Sequence, residues 1–158
     1  MKTRHFYREG DWLVIPLEEN GYALGIIART NNKSAYLLGY FFPTKYSSPP
    51  SAETAASLTQ RDSVLIAWFS NLGIKNGEWL ILHNSKSFLR EEWPVPKFGR
   101  PDLIHPEIGY LIEYDQEEPI SSRPVQEVIC DASQLVGLPV DEKYGHLALA
   151  QKLSLITT

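Results

Sequence analysis

A single cysteine, Cys130, stands among the 158 residues, so an intrachain disulfide is impossible and a thiolate zinc cluster is excluded. No stretch approaches the roughly 18 uninterrupted apolar residues that a membrane helix needs. The first residues, Met1 to Arg8, carry charge with no apolar run behind them, which leaves a secretory signal peptide unsupported. Asn32-Lys33-Ser34 has the form of a glycosylation acceptor, but without a secretory signal that form carries little meaning. These absences together point to a bacterial-type cytoplasm. Also missing are Gly-x-Ser-x-Gly, Gly-x-x-x-x-Gly-Lys-Ser/Thr and Gly-x-Gly-x-x-Gly, the turns that expose a serine nucleophile or cradle phosphates. Internal repeats and low-complexity tracts are absent as well.

What the chain does have is aromatic side chains: four Trp, eight Tyr and six Phe, against one Met. Flat rings pack well on a pleated surface, which favours sheets. With 43% apolar and 22% charged residues, the composition suits one globular domain with a sizeable core. The net charge of −4 hides an asymmetry. Residues 1–101 carry 12 basic and 9 acidic groups, whereas residues 102–158 carry 3 basic and 10 acidic ones. An acidic second half discourages nucleic acid, whose phosphates need Lys and Arg, and suits a basic protein partner. It equally suits a solvated surface that keeps the protein soluble.

Alternation of apolar side chains predicts strands over Asp11–Leu17, Tyr22–Arg29 and Ser34–Phe42, joined by the turn-prone 18–21 and 30–33 stretches into an antiparallel meander. Gly25 and Gly39 interrupt two of these strands and predict a sharp bend, a bulge or a close backbone approach. A ligand touching the backbone is the functional alternative there. Ser51 can cap a short helix reaching about Gln60. Further strands are expected over Val64–Phe69, Trp79–His83, Gly109–Tyr114 and Val125–Cys130, with a proline-stiffened edge from Trp93 to Pro106. Asp131 can cap a helix stopping at Gly137, and Asp141 a second one whose His146, Leu149, Leu153 and Ile156 share a face. The expected fold is α+β and mainly β: a strongly bent antiparallel sheet or small half-barrel, with a short mid-chain helix and C-terminal helices packed on it. The expected organisation is one domain over 1–158, with a β-rich core over 9–130 and a helical extension over 131–158.

Candidate catalytic groups are sparse. Cys130 ends an apolar alternation, where a buried inert thiol is expected rather than an activated nucleophile. Asp102, His105 and Glu107 form the nearest approach to a metal or acid–base cluster, yet they sit on one local, proline-stiffened segment, and a surface loop is the plainer reading. His83 closes a strand, His146 belongs to an apolar helix face, and His5 lies in a loose terminus. Glu91 and Glu92 are neighbours on an extended chain and point opposite ways, so they cannot flank one bond. The sequence therefore predicts no catalytic residue, no cofactor and no metal.

Between Glu107 and Glu118 there are five acidic residues, Glu107, Glu113, Asp115, Glu117 and Glu118, and no basic one. Tyr110 and Tyr114 lie among them and offer rigid contact area at low entropic cost. These seven residues are the candidate partner-binding segment, with Arg100 and Arg123 the nearest groups that could neutralise it from within the chain.

Three motifs carry a resemblance: Gly10-Asp11 leading into Trp12–Leu17, the strand Gly21-Tyr22-Ala23-Leu24-Gly25, and Asn76-Gly77-Glu78-Trp79 downstream. Together they resemble the immunity protein 26 family of bacterial polymorphic toxin systems, over roughly residues 9–115. The resemblance implies a non-enzymatic antidote that binds and blocks a cognate protein toxin, and it is silent on the last forty or so residues. Two other readings compete. A small-barrel module binding nucleic acid or a peptide would need a basic stripe from Arg29, Lys33 and Lys45. An enzyme of unconventional design would need a deep pocket gathering Asp102 and His105.

Overall fold

Trp12, Leu13, Val14 and Ile15 are all buried in the first strand, so both of its faces must be covered. The computed structural model, which describes residues 7–84, 87–120 and 123–158, shows how. Six strands form an open sheet in the order β5-β1-β2-β3-β4-β9. They are β1 (Trp12–Pro16), β2 (Tyr22–Arg29), β3 (Tyr36–Phe41), β4 (Leu65–Ser70), β5 (Leu80–Leu82) and β9 (Lys143–Tyr144). The predicted meander is there, with β1, β2, β3 and β4 antiparallel in sequence order. Three more strands, β6 (Phe98–Pro101), β7 (Ile108–Glu113) and β8 (Gln126–Asp131), make a second antiparallel sheet. Neither sheet closes into a barrel; the expected bent sheet is realised as these two.

On one face of the large sheet, Trp12, Leu24, Ile26, Leu38, Tyr40 and Trp68 pack against Trp93, Val95, Phe98 and Ile112 from the proline-rich segment and the second sheet. On the other, Leu13, Ile15, Ile27, Phe41 and Phe69 pack beneath the short α2 (Leu72–Lys75) and the C-terminal α3 (His146–Ile156). Burying each of these large side chains stabilises by about 1.5–3 kcal/mol. Gly25 and Gly39 owe their identity to close approach. A Cβ at Gly25 would lie 2.6 Å from the Phe41 ring, and one at Gly39 would lie 2.7 Å from Phe69 and 2.8 Å from Phe41. Two aromatic rings fill the space the glycines leave.

The helices depart from expectation at their edges. Ser51 does cap α1, accepting from the Thr54 N–H at 3.2 Å, but α1 spans only Ala52–Ala56 before a separate 3-10 turn at Gln60–Asp62. After Asp131 there is a 3-10 turn over Ala132–Leu135 and no side-chain cap. The second C-terminal helix begins at His146, not at Asp141. Lys143 and Tyr144 are drawn into parallel pairing with Trp68 and Phe69, which keeps the backbone extended. The Asp141 carboxylate is consumed elsewhere, accepting from Trp68 Nε1 at 3.1 Å and from the Tyr114 hydroxyl at 3.0 Å. On α3 the predicted face holds: Leu149 and Leu153 are fully buried, Ile156 packs beside them, and His146 lies edge-on to Trp79.

Candidate functional site

The acidic segment straddles β7 and the turn after it. Alternation sends Tyr110, Ile112 and Tyr114 towards the large sheet, while Glu113 points the other way. Glu107 is exposed just before the strand; Asp115, Glu117 and Glu118 are exposed just after it. The seven candidates therefore separate into an acidic surface and two tyrosines turned inward.

Tyr114 is built into the junction between the sheets. Its ring stands edge-on to Trp68 and Phe98, with centroids 5.2 and 5.8 Å away, and its hydroxyl donates to Asp141. Burial, reinforced by the neighbouring Asp141 charge, pushes this phenol well above the usual tyrosine range. Tyr110 lies nearer the surface, donating to Asp102 Oδ2 at 2.9 Å beneath the Arg100 guanidinium, 5.2 Å from its ring centroid. The bond to Asp102 raises its pKa. Asp102 itself is held below the usual carboxylate range by the N–H groups of His105 and Ile104 and by that hydroxyl. It is a turn cap. Among the described residues no group of three or more His, Cys, Asp or Glu side chains is placed to hold a metal ion.

The turn over residues 115–118 is fastened from below by residues that the sequence reading did not connect with it. The register between β2 and β3 shifts between Ile27 and Arg29, so that Arg29 faces Leu38 and its side chain is re-aimed to the second-sheet side. There Arg29 is buried, and its guanidinium donates to three carbonyls: Gln116 at 2.8 Å, Ala28 at 2.6 Å and Trp93 at 3.0 Å. Burial, with Arg90 nearby, lowers its pKa. The Gln116 side chain closes a two-bond clamp on Val95, accepting from its N–H at 2.9 Å and donating to its carbonyl at 2.7 Å. Arg90 donates to the Glu117 carbonyl at 3.0 Å while paired with Glu9 at 2.7 Å. Its pKa is raised by the Glu9 bond, with Glu117 and Glu118 adding to the effect. The basic groups beneath the acidic turn are thus Arg29 and Arg90. Arg100, expected there from sequence, is paired with Glu127. A charged residue closing the apolar run Ala23–Ala28 was the available signal for Arg29, since a buried guanidinium must find several acceptors. With Arg29 buried, the basic stripe required for the barrel-module reading does not form; Lys33 and Lys45 remain exposed by themselves.

The motif residues Asp11 and Trp79 serve a turn and the core. Asp11 is fully buried, accepts from the Arg8 N–H at 3.0 Å and faces His83 Nδ1 at 3.3 Å. Trp79 is buried beside Phe69. Residues 8–109 match the family model described as Immunity protein 26. The chain belongs to the immunity protein 26 family. No curated protein and no solved structure matches it. The family match spans β1 through β6 and ends at the second residue of β7. Of the candidate residues only Glu107 lies inside it; Tyr110, Glu113, Tyr114, Asp115, Glu117 and Glu118 lie just beyond. The part of an immunity protein 26 chain that this family model describes is here the scaffold, and the acidic turn is mounted on it. Among the described residues no helix is long and apolar enough to cross a membrane.

Proposed function

We propose that this chain binds and neutralises a cognate protein toxin without catalysis, in the cytoplasm, as one domain, and that it does so through the acidic surface of Glu107, Glu113, Asp115, Glu117 and Glu118. Membership of the immunity protein 26 family supports the antidote role. The observation that carries the choice of surface is the acidic turn clamped by Arg29, Gln116 and Arg90, because a rim held in place loses little entropy on binding. Tyr110 and Tyr114 back the surface and fix its shape. The partner face would be basic, and the charges would mainly speed encounter.

The test is binding kinetics with the cognate toxin domain. Replacing Asp115, Glu117 and Glu118 together by their amides should slow association and flatten its salt dependence, with folding stability changed by no more than about 0.5 kcal/mol. Unchanged association rates at low and moderate salt would remove this surface.

A further inference from the structure

Among the described residues, the second sheet ends in a strand whose outer edge no other strand pairs. All but one of the residues of β8, Gln126 to Asp131, are exposed on both faces, and Cys130 is half-buried. Val128 and Ile129 on β8 are 41 and 61% exposed, an unusual display for β-branched side chains on a regular strand, and Val125 just before it is 64% exposed. Strand β7 takes one edge of β8, and among the described residues no strand takes the other. The phase of the hydrogen bonds can be read from the strand end. The Ala132 N–H donates to the Glu107 carbonyl at 3.0 Å, so 107 and 132 form a bonded pair. Alternation along the antiparallel ladder then directs residues 126, 128 and 130 inward. The N–H and C=O groups of Glu127, Ile129 and Asp131 face outward.

We propose that this free edge of β8 is a strand-addition site, and that its occupant is an extended basic segment of the protein partner. The inference rests on the antidote reading above and adds the mode of contact. An edge with unpaired backbone groups is a template for another strand, with main-chain bonds supplying affinity and alternate side chains supplying selection. The charges select the occupant. Glu127 and Asp131 share one face of the edge with Ile129 between them, and Glu107 and Glu113 lie on the adjoining strand or its approach. Within residues 107–131 seven acidic groups face a single basic one, Arg123, and from outside that stretch Arg100 on β6 pairs with Glu127, which leaves Asp131 and the remaining carboxylates to draw a basic strand. A strand carrying Lys or Arg opposite Asp131, with an apolar residue opposite Ile129, would satisfy charge and packing together. A second copy of this chain fits worse. Two-fold pairing centred on Ile129 would set Glu127 opposite the other copy's Asp131, and like charges directly opposite are destabilising. The same carboxylates keep the free protein from pairing with itself.

The experiment uses the full chain and the purified cognate toxin domain. Amide hydrogen exchange of the native protein, free and in complex, needs no variant. The N–H groups of Glu127, Ile129 and Asp131 should exchange freely alone and slow by about 10-fold to 100-fold in the complex. Ile129→Pro removes an outward N–H without removing a bond to β7, and should weaken binding by about tenfold or more. Ile129→Thr keeps the backbone donor and should stay within about threefold. A toxin that binds without protecting these amides, and equally well to Ile129→Pro, overturns the strand-addition site while leaving the antidote reading intact. A native dimer that Ile129→Pro dissolves would assign the edge to a second copy and also overturn it. No binding by the native chain overturns the antidote reading and this inference with it.

Discussion

The two sheets are built from similar residues and bury them differently. The six-stranded sheet is covered on both faces, by the second sheet and proline-rich segment on one side and by α2 and α3 on the other. Its inner strands are therefore apolar at nearly every position, and Leu13, Ile27, Leu37, Phe41 and Phe69 are as buried as Trp12, Ile26 and Tyr40. The three-stranded sheet is covered towards the large sheet by contacts of Phe98 and Ile112, and more lightly behind by Leu135, which lies close over Gly99 and Gly109. It then runs out into water at β8. The difference separates scaffold from surface: the strands that match the family model are mostly the doubly covered ones, and the exposed acidic turn and edge come after the match ends.

Stability measurements can break that comparison. The largest effect should come from Phe41→Ala, which removes the ring filling the space over Gly25 and Gly39; denaturant unfolding should show a loss of about 3–5 kcal/mol. Leu153→Ala, on the buried face of α3, should cost about 2–5 kcal/mol by the same assay. An unchanged midpoint for Leu153→Ala would make the C-terminal helix a loose appendage and the second covering layer unimportant. At the other extreme, Val128→Ala and Ile129→Ala on β8 should each stay within about 0.5 kcal/mol, because the folded state leaves much of both side chains in water.

Alkaline titration sharpens the comparison in between. Burial between the large sheet and the proline-rich segment pushes the Tyr40 phenol up to about 12, partly offset by the Arg29 charge. An unfolded tyrosine titrates at about 10. The native state therefore holds this proton more tightly. Its contribution to stability is complete below about pH 10 and is lost as pH rises through about 12. Phenolate absorbance followed with unfolding should show Tyr40 ionising late, and Tyr40→Phe should flatten the alkaline loss. The Tyr40 hydroxyl donates to the Pro94 carbonyl, so the same variant also removes one hydrogen bond between the large sheet and the proline-rich segment.

The meander was legible because period-two alternation over Tyr22–Arg29 and Ser34–Phe42 belongs to the local chain, and β2 runs from Tyr22 to Arg29 as expected. Gly25 and Gly39 announced a close approach, but which rings approached depended on β4, far along the chain. The acidic segment was visible as composition. Its fastening was not, because Arg29 lies 87 residues from Gln116 and reaches it only through a bulge that no local pattern marks. Asp141 misled for a similar reason. A helix-capping residue type was taken up by Trp68 and Tyr114, partners set by tertiary packing.

Neutralisation by binding alone, as proposed, predicts the outcome of titrating toxin activity with the native chain. Activity of the cognate toxin domain should fall linearly and reach zero at about one molecule of this chain per toxin, with the complex recoverable intact. Complete loss of activity at a small fraction of that ratio would mean turnover, and full activity at any ratio would mean that this chain is not the antidote; either result contradicts the account.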